Sequence, residues 1–375
     1  MRQTIRSSLL LLAGSIPLVA GNAQEPERRS SEVGRALITR DVLAAVSDGL
    51  AWLASQQSED GYWTQDVGFK LNSSYRITAP DSPHVGVTAL ALMSFLAGGH
   101  LPGRGQYGHV VERGLDYVLS RVGENGYITD AGTRMYSHAF ATLFLAEIYG
   151  MTNRGDVRRA LQDSVNIIVD SQNAEGGWRY KPFARESDMS ITVCQVVALR
   201  SARNVGITVS ARTIKDAENY VLDSAVSSNA PDRRGRFAYS INDGGAFRYQ
   251  KEEHSRTTFP LTAAGVTTLH AAGLYDHRVL NEAFEFMNAQ MAPFNAEFRD
   301  HYFFFYGHYY AVQAYYTAGG RSFVRYYRTM RKILLDMQQS DGRWVCNTGP
   351  GDAFATAVST LILQIPLQFL PIFQR

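Results

Sequence analysis

An apolar run near the middle of the chain is preceded by a carboxylate. Residues 176–202 read GGWRYKPFARESDMSITVCQVVALRSA, and Asp188 stands directly before the apolar part. A carboxyl group in this position could act as a general acid that faces a cavity. It could also accept the free backbone N–H groups at the start of a helix, a role for which aspartate is preferred. The pattern favours the capping role for Asp188.

Other side chains suited to proton transfer or polar binding precede further apolar runs. The candidate catalytic residues are Asp188, His84, His138, His301 and Asp352. The candidate ligand-binding residues are Tyr136, Tyr302, Tyr306, His308 and Arg256. A single histidine is more often a local cap or packing group than a catalyst. The aromatic stretch over residues 299–316 could be either a ligand wall or a packed helix.

The candidate residues occur within a sequence pattern that repeats along the chain. Apolar segments alternate with the turns QSEDGYW, GENGYI, QNAEGGW, NDGGAF and QSDGRW, whose glycines are Gly61, Gly126, Gly177, Gly245 and Gly342. The last interval is about twice the others, and residues 287–310 fill the place of a unit that lacks its glycine. The spacing predicts six units of about 56 residues.

Each unit supplies two helices of different character. The first is amphipathic: residues 40–57, for example, place on one stripe Val42, Leu43, Val46, Leu50 and Leu53. The second is apolar nearly all round and therefore belongs inside. Six outer and six inner helices predict an all-α fold, an (α/α)6 toroid of six helical-hairpin repeats. Closure is favoured because the last helix is as apolar as the others, whereas an open array needs a polar cap.

The Q-x-x-D-G-x-W turns resemble the QW motifs of squalene–hopene and oxidosqualene cyclases. More widely, the chain resembles prenyltransferase and squalene-oxidase repeat proteins, which implies an α/α toroid. Those cyclases carry D-x-D-D at the start of an inner helix. The matching positions here are Asp188, Met189, Ser190 and Ile191, so serine replaces the aspartate that delivers the proton. The zinc ligands of the prenyltransferases also lack a counterpart, and neither a metal nor a cofactor is predicted.

The missing acid motif favours a non-catalytic protein that binds a small molecule, glycan or peptide in its central cavity. One alternative is an enzyme of the terpenoid cyclase or prenyltransferase-like superfamily with a non-standard site. Another is a glycan-active toroid enzyme, which would need paired carboxylates. Asp81, Asp188 and Asp352 are the acids expected near the cavity mouth.

The two chain ends carry separate signals. Residues 1–23 combine Arg2, Arg6, an apolar run and small residues before Ala23, the layout of a signal peptide for export to the periplasm or the medium. Residues 24–37 then form a linker and residues 38–375 a single toroid domain. Residues 359–375 could cover the ring or make a peripheral membrane contact. The net charge of +2 gives no indication of a nucleic-acid partner.

Overall fold

The computed structural model describes residues 37–71, 74–226, 246–248, 250 and 257–370. In this part of the chain, twelve α-helices, one two-stranded hairpin and a short 3-10 turn are found. In chain order they are α1 (Arg40–Gln56), β1 (Thr64–Leu71), β2 (Ser74–Pro83), α2 (Val85–Ala97), α3 (Gly108–Ser120), α4 (Met135–Tyr149), α5 (Gly155–Asp170), α6 (Met189–Asn204), α7 (Ala211–Asp223), α8 (Phe259–Ala272), α9 (Arg278–Phe298), α10 (Tyr302–Ala318), α11 (Gly320–Met337), α12 (Asp352–Gln364) and the 3-10 turn (Ile365–Leu367).

The helices form two concentric rings. In the inner ring α2, α4, α6, α8, α10 and α12 each pack against the next, and α12 returns to α2. The outer helices lie against this ring, and the first of them, α1, packs on α11 and α12. The inner helices are largely buried, and in α2 all residues from Val85 to Ala97 are buried. The predicted (α/α)6 toroid is therefore confirmed.

The repeated turns join neighbouring units through hydrogen bonds from side chains to backbone carbonyls. Gln57, Gln172 and Gln338 each donate from Nε2 to the carbonyl oxygen of a residue four positions later and to a carbonyl on another outer helix, at 2.8–3.0 Å. The buried tryptophans of the turns also make one repeated bond, from the indole Nε1 to the carbonyl oxygen ten residues earlier. They are Trp63, Trp178 and Trp344. The glutamine links adjacent hairpins, and the tryptophan fastens the turn to its own outer helix.

Two assignments within these turns need correction. In the third turn the residue with positive φ is Gly176 (φ 87°), not Gly177. A Cβ on Gly176 would lie 2.2 Å from the carbonyl oxygen of Asp216 in α7, so only glycine fits this contact. In the last turn the bridging glutamine is Gln338, not Gln339. The predicted turn glycine Gly245 lies outside the described residues.

A β-hairpin between α1 and α2 is an element that the helical pattern does not predict. β1 and β2 pair antiparallel, with an irregularity in register around Val67. The sequence carries a signal for it: Val67, Phe69 and Leu71 alternate with other residues, and the next two positions are Asn and Ser, residue types that favour turns. The hairpin matters for function because it lies over the end of the ring where the inner helices begin.

The chain ends are only partly described. Residues 1–36 lie outside the described residues, and the signal peptide and most of the linker fall there. At the other end Leu370 is buried in the core, while residues 371–375 are not described. Within the described residues no helix combines the length and apolar character needed to cross a membrane. Cys194 and Cys346 are buried free thiols.

Candidate functional site

A cavity of about 390 Å³ opens at the end of the ring where the inner helices start. Its wall comes from the first turns of the inner helices, from α9 and from the hairpin. Most of the lining is aromatic or aliphatic, with a few hydroxyl groups and the two cations Lys70 and Arg134. Among the described lining residues none is Asp or Glu. The volume falls within the roughly 300–1,000 Å³ typical of small-ligand sites.

The hairpin covers part of the cavity mouth. The Phe69 ring centroid lies 4.7 Å from the guanidinium carbon of Arg134, at the start of α4. The Lys70 ammonium lies 4.8 Å from the centre of the Phe303 ring, on α10. α4 and α10 are not neighbours in the inner ring. The hairpin therefore reaches across the mouth and holds side chains from both sides.

A chain of hydrogen bonds leads from the cavity to a buried carboxylate. The hydroxyl oxygens of Tyr136 and Ser190, both in the cavity wall, are 2.6 Å apart. Ser190 donates its hydroxyl hydrogen to Asp188 Oδ1 at 2.6 Å, so Tyr136 must be the donor to Ser190. The order is Tyr136, Ser190, Asp188, with every O–H directed away from the cavity.

Asp188 also caps α6, as its position in the sequence predicts. Its Oδ1 accepts the backbone N–H of Ser190 at 2.8 Å. The side chain is fully buried, and its second oxygen, Oδ2, has no hydrogen-bond partner among the described residues. Burial and then the nearby charge of Asp188 raise the pKa of Tyr136 well above its ordinary value. Tyr136 is therefore a protonated donor at neutral pH, which fits the direction of the chain.

His84 brings a second polar group to the cavity wall. It caps α2, and its Nδ1 accepts the backbone N–H of Val87 at 3.2 Å. Burial lowers the pKa of His84, so the ring is neutral at pH 7. With Nδ1 acting as an acceptor, the hydrogen resides on Nε2, and His84 can offer that N–H to a ligand. α2 and α4 approach closely here, since a Cβ on Gly86 would lie 2.5 Å from the Ser137 hydroxyl.

Two of the candidate histidines lie away from the cavity. His138 accepts from the Ile128 N–H through Nδ1 at 3.1 Å, and its Nε2 lies 3.2 Å from the Ser164 carbonyl oxygen. His308 bonds to Tyr326 at 2.8 Å and to Asn295 at 2.6 Å. Burial lowers the pKa of His138 to about 4 and that of His308 to about 3. With both ring nitrogens engaged, these histidines join neighbouring elements of the toroid.

The remaining candidates divide between cavity and surroundings. Tyr302 and Tyr306 line the cavity, and Tyr306 donates to the Ser190 carbonyl oxygen at 2.8 Å. His301 caps α10 and does not belong to the lining. Asp352 is also outside the lining, where it accepts the Cys346 N–H at 2.9 Å and pairs with Arg343 at 3.2 Å. Arg256 lies outside the described residues. The expected acids therefore form no pair across the described cavity.

The fold and site together define an α/α toroid with an aromatic, hairpin-covered cavity, and solved structures share the toroid fold. No protein-family model and no curated protein matches the chain. An inactive variant of an α-1,6-mannanase from Salegentibacter sp. HEL1_6, in complex with α-1,6-mannotriose, aligns with a TM-score of 0.58 at 10% identity, over 87% of this chain and 99% of that chain. The cellobiose 2-epimerase of Spirochaeta thermophila DSM 6192 aligns with a TM-score of 0.57 at 11% identity, over 93% of this chain and 99% of the epimerase chain. An unsaturated glucuronyl hydrolase specific for heparin aligns with a TM-score of 0.53 at 12% identity, over 90% of this chain and 96% of the hydrolase chain.

These similarities correct two expectations. The mannanase, the epimerase and the glucuronyl hydrolase are enzymes that align over most of this chain, so the expectation of a non-catalytic protein, or of terpene cyclase-like activity if catalytic, is wrong. The likeness to squalene cyclases and prenyltransferases extends to the toroid and its turns, and the comparisons do not support membership in that family. A toroid without D-x-D-D can carry other chemistry, because fold alone does not determine function.

Proposed function

We propose that this chain is an enzyme that binds a saccharide in the hairpin-covered cavity and acts on it by proton transfer through Tyr136. The observation that carries the proposal is the hydrogen-bonded chain from the Tyr136 hydroxyl to the buried Asp188 carboxylate. The similar fold of toroids named for mannan, cellobiose and heparin chemistry supports a saccharide as the substrate.

The composition of the cavity wall also fits a sugar. The aromatic side chains that line the cavity can contact the C–H groups of a sugar ring. Ser190, Ser137 and the tyrosine hydroxyls can bond to sugar hydroxyls from between those rings. A small number of polar groups in an apolar wall is the usual design of a site that fixes the orientation of its ligand.

The direction of the hydrogen bonds determines which proton transfer is favoured. When Tyr136 takes a proton from the substrate, its own proton passes to Ser190, and the Ser190 proton passes to Asp188. The proton ends on the carboxylate, and both hydroxyl groups are restored. A carbon next to the carbonyl of an open-chain sugar can lose such a proton, and the His84 N–H can stabilise the oxygen that becomes negative. Isomerisation or epimerisation is the reaction class that this arrangement favours.

Glycoside hydrolysis fits the described residues less well. It uses two carboxyl groups on opposite sides of the bond to be cleaved. No carboxylate lines the described cavity, and Asp188 reaches it only through Ser190. Proton transfer at carbon needs one base and a hydrogen-bond donor, which Tyr136 and His84 supply.

The test is incubation of the mature protein with reducing saccharides, neutral and uronic, in D2O. NMR spectroscopy follows hydrolysis, isomerisation and deuterium uptake at the carbon next to the carbonyl in one experiment. We expect deuterium uptake with at least one saccharide, and its loss in Tyr136→Phe with binding retained. Absence of saccharide binding in calorimetry, or exchange by Tyr136→Phe at the rate of the unchanged protein, would contradict the proposal. Export through residues 1–23 is a further part of the proposal and rests on their sequence alone.

A further inference from the structure

We infer that the substrate is a saccharide bearing a carboxylate, and that Arg134 binds that carboxylate. The inference rests on the proposed saccharide function and adds the charge of the substrate. It is carried by the arrangement of Arg134 in the cavity wall and by the charges of the residues around it.

Two aromatic rings hold the Arg134 guanidinium in place. Its central carbon lies 4.7 Å from the centre of the Phe69 ring in the hairpin and 5.9 Å from that of Tyr180 in the loop before α6. A guanidinium stacked on rings keeps the N–H groups in its own plane available. None of the hydrogen bonds or ion pairs among the described residues involves the Arg134 side chain. Its donors are therefore free to bind a ligand in the cavity.

The charge around Arg134 is not balanced within the described cavity. The described lining residues include no Asp or Glu that could pair with Arg134. Asp188 lies behind Ser190, and its Oδ1 is already bound by the Ser190 hydroxyl and N–H. A cation in a mostly apolar wall is stabilised strongly by an anion, since little water competes for it. The cavity is therefore suited to an anionic ligand more than to a neutral one.

A carboxylate matches the geometry of this cation. Its two oxygens accept two parallel N–H bonds from one guanidinium, an arrangement that is both strong and directional. The aromatic wall beside Arg134 can hold the sugar ring that bears the carboxylate, with Tyr136, which also lines the cavity, as the group that acts on it. A uronic acid residue combines these two parts in one ligand.

Calorimetry with cellobiouronic acid and cellobiose tests the inference, because the two disaccharides differ only in the carboxylate at C6. We expect the acid to bind about 10- to 100-fold more tightly than cellobiose, the range for a hydrogen-bonded charge. Arg134→Met should abolish this preference, and Arg134→Lys should keep only part of it. Arg179→Met is the matched control, since Arg179 lies 4.8 Å from the same Tyr180 ring but is not part of the cavity lining. Thermal unfolding of each variant shows that it is folded.

The outcomes separate the two proposals. Equal affinity for both disaccharides, or a preference that survives Arg134→Met in a folded protein, overturns the inference and leaves the saccharide function standing. Binding of neither disaccharide, nor of any saccharide in the wider panel, overturns both. Geranyl diphosphate serves as a third ligand, because it carries an anionic group without a sugar. If geranyl diphosphate binds in a way that depends on Arg134 and no saccharide binds, both the saccharide function and the carboxylate inference are overturned.

Discussion

The hydroxyl groups of Tyr136 and Ser190 lie 2.6 Å apart although the two residues are separated by 54 positions in the sequence. One stands in the first turn of α4 and the other in the first turn of α6, which are adjacent in the inner ring. Replacement of Tyr136 by Phe removes the hydroxyl and keeps the ring. We expect turnover to fall by about 10²- to 10⁴-fold, the usual contribution of a positioned acid or base, with little change in saccharide affinity.

Tyr306→Phe is the comparison for that measurement. Tyr306 also lines the cavity, but it donates to the carbonyl oxygen of Ser190 and not to its side chain. Its loss leaves the proton chain complete, so turnover should fall much less. Equal losses in the two variants would point to packing of the tyrosine rings in place of a proton relay.

Asp188→Asn separates the capping role of this residue from its chemical role. Asparagine caps helices about as well as aspartate, so the free energy of unfolding should change by no more than about 1 kcal/mol. An amide cannot accept the proton that Ser190 passes on, and turnover should therefore be lost. Chemical denaturation and the NMR exchange assay measure the two effects. An active Asp188→Asn variant would show that Asp188 is only a cap.

Gln338 closes the ring between the last and first units. Its side chain donates to the carbonyl oxygens of Gly342 and, on α1, Ala45. Gln338→Ala leaves these carbonyls without their partner and should lower the free energy of unfolding by about 1–3 kcal/mol. The neighbouring Gln339 is exposed, and among the described residues its side chain bonds only to the nearby Met337 carbonyl, so Gln339→Ala should be close to neutral. Denaturant unfolding measures the free energy of unfolding of both variants. Similar losses in the two variants would show that Gln338 does not close the ring.

The turn glycines are expected to differ from glycines in open loops. Gly61 has φ 95°, and a Cβ there would lie 2.3 Å from the Arg113 carbonyl oxygen on α3. Gly99 has φ 82° with no atom within 4 Å of such a Cβ. Gly99→Ala should lower the free energy of unfolding only by the strain of the left-handed backbone, about 1–2 kcal/mol. Gly61→Ala adds a steric clash and should lower the free energy of unfolding further. Thermal unfolding compares them, and equal losses would be inconsistent with the close contact.

Stability should decline as the pH falls below the ordinary histidine range. The pKa of His138 is lowered to about 4 by burial, whereas in the unfolded chain it returns to about 6.5. Below about pH 6.5 the unfolded state therefore binds a proton that the folded state does not. The contribution of this histidine is complete above pH 6.5 and declines by about 1.4 kcal/mol per pH unit down to about pH 4.

His138→Asn provides the measurement, because the asparagine Oδ1 can still accept from the Ile128 N–H. The variant should show a smaller loss of unfolding free energy between pH 6.5 and pH 4 than the unchanged protein. If the slopes of the two proteins agree, His138 is not the group that takes up the proton.

Much of the site could not be predicted, and the hairpin is one reason. Phe69 and Lys70 reach the cavity because β1 and β2 fold over the ring, and the alternating pattern of β1 is too short to stand out among helical repeats. The absence of D-x-D-D means that serine stands at position 190, where the cyclases carry an acid. It gives no information on Tyr136, whose partner is supplied by another helix. The step from a missing motif to a missing activity was contradicted by the similarity to toroid enzymes, which the sequence pattern does not show.

The sequence alone determined the toroid, because the signals that build it are local. The amphipathic stripes of the outer helices and the turns with Gln, Gly and Trp act within one unit or between neighbours, and they repeat often enough to be recognised. The tertiary structure alone decided which side chains face the cavity. Inner helices that are apolar all round have no hydrophobic face to indicate their rotation. Tyr306 and His308 are two residues apart in α10, yet the first lines the cavity and the second bonds to Tyr326 in α11, because packing within the closed ring fixes how each inner helix is turned.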